Sequence, residues 1–193
     1  MHERSGQDRI IVFTGPDGSG RKSVAEAVGQ TFGMEKVLSY VTRKPRQGEV
    51  NGQDYHFVTK DVYREMEGEF LESVEIDGEF YGIRRSDVEA GLRDNGCVYL
   101  ILNREGAERI KELYGNLAIR LFLYADRRTL EDRHRDLGLS ADVIANRMRR
   151  YDEELAYRSS CEHTYGNYDL ADTVSRITET LEGYFQRGLV DKD

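Results

Sequence analysis

Arg43 and Arg46 stand three residues apart around Pro45, and that is where chemistry is densest in this 193-residue chain. Two guanidinium forks on a loop stiffened by proline can hold a phosphomonoester bidentately. Tyr55 and Tyr81 can add phenolic donors to the same oxygens. Glu72 offers a carboxylate, which accepts the N1–H and exocyclic N2–H of guanine. Adenine presents an acceptor at N1, so the same carboxylate rejects it. The Ser39 hydroxyl can serve another guanine atom. A second cluster is the run Gly15-Pro16-Asp17-Gly18-Ser19-Gly20-Arg21-Lys22-Ser23. A glycine loop ahead of a helix cradles anions with backbone N–H groups. The phosphate-binding pattern is Gly, four residues, Gly, Lys, then Ser or Thr. Gly15 and Gly20 fit it, but Arg21 stands at the Lys position and Lys22 at the hydroxyl position. A slip of one residue would restore Lys22-Ser23 at the cost of a longer loop.

The elements that must position these residues read as alternating strands and helices. Arg9 to Thr14 is a short apolar run, and Val24, Ala25, Ala27, Val28 and Phe32 share one helix face. Val37 to Val41 reads as a second strand. Lys60 to Glu67 reads as a helix capped by Thr59. Strand-like segments flank the turn Asp77-Gly78. A helix capped by Ser86 and running to about Asn95 precedes Cys97 to Leu102, apolar throughout and suited to a strand buried on both faces. Arg104 to Leu113 is helical, and Leu117 to Tyr124 is another buried strand. Charged helices are expected over Arg128–Leu137 and Ala141–Tyr157, and a last helix over Leu170–Phe185, capped by Asp169. Asp191-Lys192-Asp193 reads as a frayed tail. Such alternation implies an α/β fold with a parallel sheet covered on both faces. The segment 39–83 has an antiparallel flavour and reads as an insertion.

Composition narrows the function. The net charge of −8 argues against a general nucleic-acid or anionic-membrane binder. The 28 cations divide into 22 Arg and 6 Lys, a bias towards the planar fork. The longest apolar runs are too short to span a bilayer. The start Met1-His2-Glu3-Arg4-Ser5-Gly6 shows no secretory h-region. Cys97 and Cys161 lack metal-ligand spacing and read as free thiols in a reducing, cytoplasmic compartment. His134 and His163 read as surface imidazoles.

The stretch from Ser39 to Val58, SYVTRKPRQGEVNGQDYHFV, closely resembles the GMP-binding segment of guanylate kinases. The likeness continues through Phe70-Leu71-Glu72, Gly78 to Gly82, Glu154 to Tyr157 and Asn167 to Leu170. With the glycine loop it covers about residues 9–185. The resemblance implies a P-loop NTPase-type parallel sheet with helices on both faces, a small antiparallel GMP-binding subdomain (39–83) and a helical lid (128–157). The core would be 9–38, 84–127 and 158–187 of a single domain.

It implies Ser39, Arg43, Arg46, Glu49, Tyr55, Glu72 and Tyr81 as GMP ligands. It implies Gly15, Asp17, Gly18, Ser19, Gly20, Arg21, Lys22, Ser23 and Asn167 as the ATP site. Arg133 and Arg147 match the lid arginines and would act with Arg21 and Lys22 in catalysis. Magnesium would accompany ATP, with Ser23 as the available metal ligand. The implied reaction is ATP plus GMP giving ADP plus GDP. The chain departs from the family pattern at several points. Ile83 replaces a Ser or Thr that contacts guanine. Ile101 and Asn103 replace two acidic residues at a strand end. The loop lacks its Lys and hydroxyl in register. These departures leave open a second reading, a catalytically inactive module that binds GMP or a phosphopeptide, in which case a protein partner is implied. The resemblance implies neither nucleic acid nor membrane as a partner.

Overall fold

The computed structural model describes the backbone of residues 8–190 and the side chains of 8–185. The readings of the first six residues and of the 191–193 tail fall outside that range.

The chain begins with β1 (Arg9–Thr14), the glycine loop and α1 (Arg21–Phe32). Two short strands follow, β2 (Glu35–Lys36) and β3 (Tyr40–Val41), then β4 (His56–Phe57) and α2 (Lys60–Glu65). A hairpin of β5 (Phe70–Ile76) and β6 (Glu79–Arg84) leads into α3 (Arg85–Asn95). Next come β7 (Cys97–Ile101), α4 (Arg104–Tyr114) and β8 (Ala118–Tyr124). Three helices α5 (Arg127–Asp136), α6 (Ala141–Met148) and α7 (Tyr151–Ala156) precede β9 (His163–Gly166) and α8 (Leu170–Val190).

The main sheet has the order β2-β7-β1-β8-β9, and each pairing is parallel. Its strands are apolar on successive residues because both faces are covered. Ile10 and Val12 point to one side with Val88, Leu92, Ala107 and Ile110 of α3 and α4. Ile11 and Phe13 point to the other, against Val24 and Val28 of α1 and Ile177 and Leu181 of α8. Strand periodicity of two therefore divides one run between two cores. This is the expected α/β architecture with helices on both faces.

A second sheet, β4-β3-β6-β5, lies within residues 40–84. Two of its pairings are antiparallel, and β3–β4 is parallel. Of the strand expected over Val37–Val41 only Tyr40–Val41 forms, as β3 of the second sheet, while β2 lies just before it in the main sheet. Val37 itself packs into the main core. The helix expected over Ala141–Tyr157 is broken at Arg149-Arg150, with neither Pro nor Gly at the break. Tertiary contacts explain it: the Tyr151 hydroxyl donates to the Ala125 carbonyl at 2.9 Å, and Arg150 pairs with Glu105 of α4. Ala125, Leu130, Ile144, Met148 and Tyr151 form a small core of their own.

Candidate functional site

Parallel strands end at one edge, and open α/β sheets place their ligand crevice there. The glycine loop follows β1, Leu102 and Asn103 follow β7, and Asn167 follows β9. The loop geometry requires glycine at two places. Gly15 has φ 140°, and a Cβ there would lie 2.0 Å from the Leu123 carbonyl oxygen. Gly20 has φ 85°, and a Cβ there would lie 2.4 Å from Asn167 Nδ2.

The second sheet faces this edge across a cleft. Ser39, Arg43, Arg46, Tyr55, Glu72 and Tyr81 all line it. Arg43 is held from several sides. Its terminal nitrogens donate to both oxygens of Glu49 at 2.6 and 2.8 Å, and its Nε donates to the Tyr81 hydroxyl at 3.0 Å. It stands 5.0 Å over the Tyr55 ring. Glu49 also accepts the Arg46 backbone N–H at 2.7 Å. Burial opposes the charge on Glu49, but the bonds from Arg43 and Arg46 outweigh it and hold the carboxyl below its ordinary pKa.

On the opposite wall, Asp17, Arg21 and Arg147 line the cleft. Arg147 of α6 meets Asp17 at 3.3 Å. Burial pushes the Asp17 pKa up, but Arg21, Arg147 and Arg46 together bring it below the usual value. Arg21, the first residue of α1, donates to the Leu102 carbonyl at 3.2 Å. Lys22 turns to the second sheet's loop and pairs with Asp54. Lys22 and Glu49 line an adjoining cavity that shares Arg21, Arg46 and Tyr55 with the cleft. Ser23 is exposed and lines neither cavity.

Arg133 and Asn167 brace the loop from behind. Arg133 donates to the carbonyls of Gly18 at 3.1 Å and Asn167 at 2.6 Å. The buried Asn167 amide donates to the Ser19 carbonyl at 2.8 Å. Neither side chain lines the two cavities.

Glu72 reaches the cleft through a β-bulge that the sequence did not announce. The register of β5 on β6 shifts between Phe70 and Glu72. Consecutive residues Leu71 and Glu72 are thereby both buried, Leu71 in the core and Glu72 on the cleft wall. Burial, and then the nearby charge of Glu105, raise the Glu72 pKa to about 7. Its Oε2 is buried and has no hydrogen-bond partner. Ile83, opposite Glu72 in the ladder, is wholly buried in the main core.

His134 corrects the expectation of a surface imidazole. It is 1% exposed, and neither ring nitrogen has a hydrogen-bond partner. Its ring packs on Gly18, where a Cβ would come within 3.0 Å of it. Burial lowers its pKa. A polar helix, RRTLEDRHRD, gave no sign that this histidine would face inward. His163 is part-buried, and its Nε2 lies 2.7 Å from the Tyr184 hydroxyl.

A protein-held magnesium needs hydroxyl or carboxylate oxygens at the loop. Lys22 occupies the hydroxyl position, Ser23 lines neither cavity, Ile101 lines the cleft as an apolar side chain, and the loop's one carboxylate, Asp17, lines both cavities but is paired with Arg147 at 3.3 Å. Among the described residues no group of three or more His, Cys, Asp or Glu side chains could hold a metal. The residues present do not fit a protein-ligated ion beside this loop.

A strand, glycine loop and helix facing paired arginines across the carboxyl edge of a parallel sheet define a nucleotide-phosphate-binding protein of the P-loop α/β class. The guanylate kinase family model matches residues 7–184, and the chain belongs to that family. It is 35% identical to the guanylate kinase of Shewanella violacea over 186 residues, covering 89% of each chain. It is 32% identical to that of Lactobacillus johnsonii, over 91% of this chain and 89% of the relative. The solved guanylate kinase of Anaplasma phagocytophilum shares the fold with a TM-score of 0.75 at 24% identity, covering 92% of this chain and 86% of that one.

Proposed function

We propose that this protein binds GMP in the cleft and transfers the γ-phosphoryl group of ATP to it, giving ADP and GDP. The carrying observation is convergence: Ser39, Arg43, Arg46, Tyr55, Glu72 and Tyr81 come from separated segments to one cleft opposite Asp17, Arg21 and Arg147. Arg43, Arg46, Tyr55 and Tyr81 take the GMP phosphate, with Glu49 holding Arg43 in place. Glu72 and Ser39 take the base. Residues 39–83 serve as the acceptor-binding part and 128–157 as the lid that carries Arg147.

Gly15 to Ser23 hold the ATP phosphates through the loop backbone, and Arg133 and Asn167 keep the loop in shape. Phosphoryl transfer depends on positioning and charge neutralisation. Arg21 and Arg147 supply the charge on the transferring group. Magnesium accompanies ATP in such reactions and neutralises phosphate charge, but this chain offers it no fitting ligand set. Turnover is accordingly slow. The diversion of Lys22 to Asp54, like the poor metal ligand set, favours the binding-module reading. We place the reaction in the cytoplasm, where both nucleotides occur; among the described residues no helix is long and apolar enough to cross a membrane.

The test is ADP release with ATP, magnesium and GMP, alongside calorimetric titration with GMP and AMP. GMP-dependent ADP and tight, GMP-selective binding are expected. Equal affinity for GMP and AMP refutes the Glu72 assignment. Binding without turnover at high protein concentration leaves only the binding module.

A further inference from the structure

Gly20 takes the left-handed conformation at the start of α1, Arg21 is the first helical residue and Lys22 the second. Lys22 therefore holds the position whose hydroxyl binds the metal ion in the phosphate-loop pattern. Ser23, the next residue, lines neither cavity. Lys22 lines the cavity beside the loop, together with Arg21, Lys36 and Arg46. Asp54 seats it there. The Asp54 side chain is 8% exposed, pairs with Lys22 through Oδ1 and accepts the Val50 N–H at 2.8 Å through Oδ2. Lys36 fixes the same turn by donating to the Gln53 carbonyl at 3.2 Å.

A divalent cation meets no uncommitted carboxylate in this cavity. Its three lining carboxylates are each paired, Asp17 with Arg147, Glu49 with Arg43 and Asp54 with Lys22. Ile101 lines both cavities as an apolar side chain. An ammonium among guanidinium groups repels a metal ion and attracts phosphate oxygens. Lysine carries three N–H donors, so the pair with Asp54 leaves donors for a ligand.

We propose that the loop binds ATP as the metal-free triphosphate, with the Lys22 ammonium standing in for the metal ion and Asp54 holding it in place. Magnesium then competes for the nucleotide instead of securing it. The inference rests on reading the loop as the ATP-phosphate site. The free triphosphate carries the larger negative charge and leaves its β- and γ-oxygens open to N–H donors. Chelation by magnesium lowers that charge and occupies those oxygens. A loop that offers the ion oxygen ligands gains by its presence, whereas one lined by cations loses by it.

The experiment is calorimetric titration with ATP, once in EDTA and once in excess magnesium chloride, of the unaltered protein, Lys22→Ser and Lys22→Met. Serine restores a hydroxyl at the metal position, while methionine removes the charge and supplies no ligand. Lys22 is half exposed, so neither change touches the core; a thermal melt checks this. The unaltered protein is expected to bind ATP at least about tenfold tighter in EDTA than in magnesium, the worth of about one charge-assisted bond. Lys22→Met should abolish that preference, and Lys22→Ser should reverse it by about tenfold in favour of magnesium. Tighter binding in magnesium by the unaltered protein, or a preference for EDTA that Lys22→Met keeps, overturns the inference alone. If ATP binds in neither buffer, the assignment of the loop to ATP falls and this inference falls with it, while titration with GMP reports on the acceptor site separately.

Discussion

The two walls of the cleft both carry arginines, but they hold them differently. On the wall formed by the second sheet, Arg43 lines the cleft and is locked by its own neighbours, its fork bidentate on Glu49, Nη1 also on the Lys44 carbonyl and Nε on the Tyr81 hydroxyl, over the Tyr55 ring. Its partners are mainly side chains whose own bonds are satisfied. On the loop wall the cations are engaged elsewhere: Arg21 on the Leu102 carbonyl, Arg133 on the loop's own backbone, Lys22 on Asp54. One wall is organised before any ligand arrives, which lowers the entropy lost on binding. The other ties its cations to backbone carbonyls and, through Lys22, to Asp54 of the facing loop. Acceptor binding and phosphoryl transfer are therefore separable properties in this chain, and substitutions on the two walls should affect different measurements.

The largest effect belongs to Arg43→Ala. It removes the central phosphate fork and leaves Glu49 without its partner. GMP affinity should fall at least about a hundredfold, since charge-assisted bonds contribute about 1.5–3 kcal/mol each. Stability should drop by about 1–3 kcal/mol, less than for a fully buried pair. Calorimetry and urea melts read the two separately. An Arg43→Ala protein that binds GMP normally would remove the organised wall from the comparison.

Glu72→Gln comes next and carries a pH signature. The folded protein holds the Glu72 proton up to about pH 7, while the unfolded carboxyl releases it near 4.5. The folded state thus binds more protons between those values, so stability declines as pH rises through that window and is flat above it. The ionised carboxylate costs roughly 3 kcal/mol at pH 8 by this linkage. Glu72→Gln should remove the decline and stabilise the free protein above pH 7. It should also cut GMP affinity by about 10- to 100-fold. In the unaltered protein GMP affinity should climb as pH rises through 7, because only the ionised form accepts two N–H groups. Melts and titrations at pH 5.5 and 8 check both signs; a pH-independent difference between the two proteins would sink this account.

Restoring the loop with Arg21→Lys and Lys22→Ser together tests the other wall. The Lys22–Asp54 pair is half exposed on the lysine side, so losing it costs under about 1 kcal/mol. Turnover should rise about tenfold, equivalent to 1.4 kcal/mol, with GMP affinity little changed. An unchanged rate would move the limiting defect to the Ile101 and Asn103 strand end.

Much of this contrast was legible in the sequence because its signals are local. A glycine loop between an apolar run and a helix, and two arginines around a proline, state their chemistry within a few residues. The departures at Arg21, Lys22, Ile83 and Asn103 were equally visible, but their consequences were not. That Lys22 would turn to Asp54 depends on a loop 32 positions away. The bulge before Glu72 comes from pairing with β6, and the break at Arg149-Arg150 from contacts with Ala125 and α4. β9, with the sequence HTYG, is too short and polar to show a strand period and exists because β8 has a free edge. Burial of His134 is set by the loop it meets, which no helical pattern within α5 encodes.

The smallest expected effect concerns that histidine, and it probes how firmly the loop wall is packed. Both imidazole nitrogens are buried with no hydrogen bond of good geometry, only a loose contact to the Asp17 backbone, against Gly18 and near the Arg147 charge. An unsatisfied buried polar group costs about 1–3 kcal/mol, and an apolar residue of similar size avoids it. His134→Leu should therefore raise stability by about 1 kcal/mol, or Tm by about 2–4 °C for a chain of this length. The folded imidazole resists protonation, since its pKa lies below the ordinary 6.5. As pH falls through 6.5 the unfolded chain takes up a proton that the folded chain does not, so the unaltered protein loses stability on acidification. The gain from His134→Leu should thus be larger at pH 5 than at pH 8. If the variant is instead less stable at both pH values, the ring packs on Gly18 too closely to replace, and the loop wall owes its shape to this histidine as much as to Arg133 and Asn167.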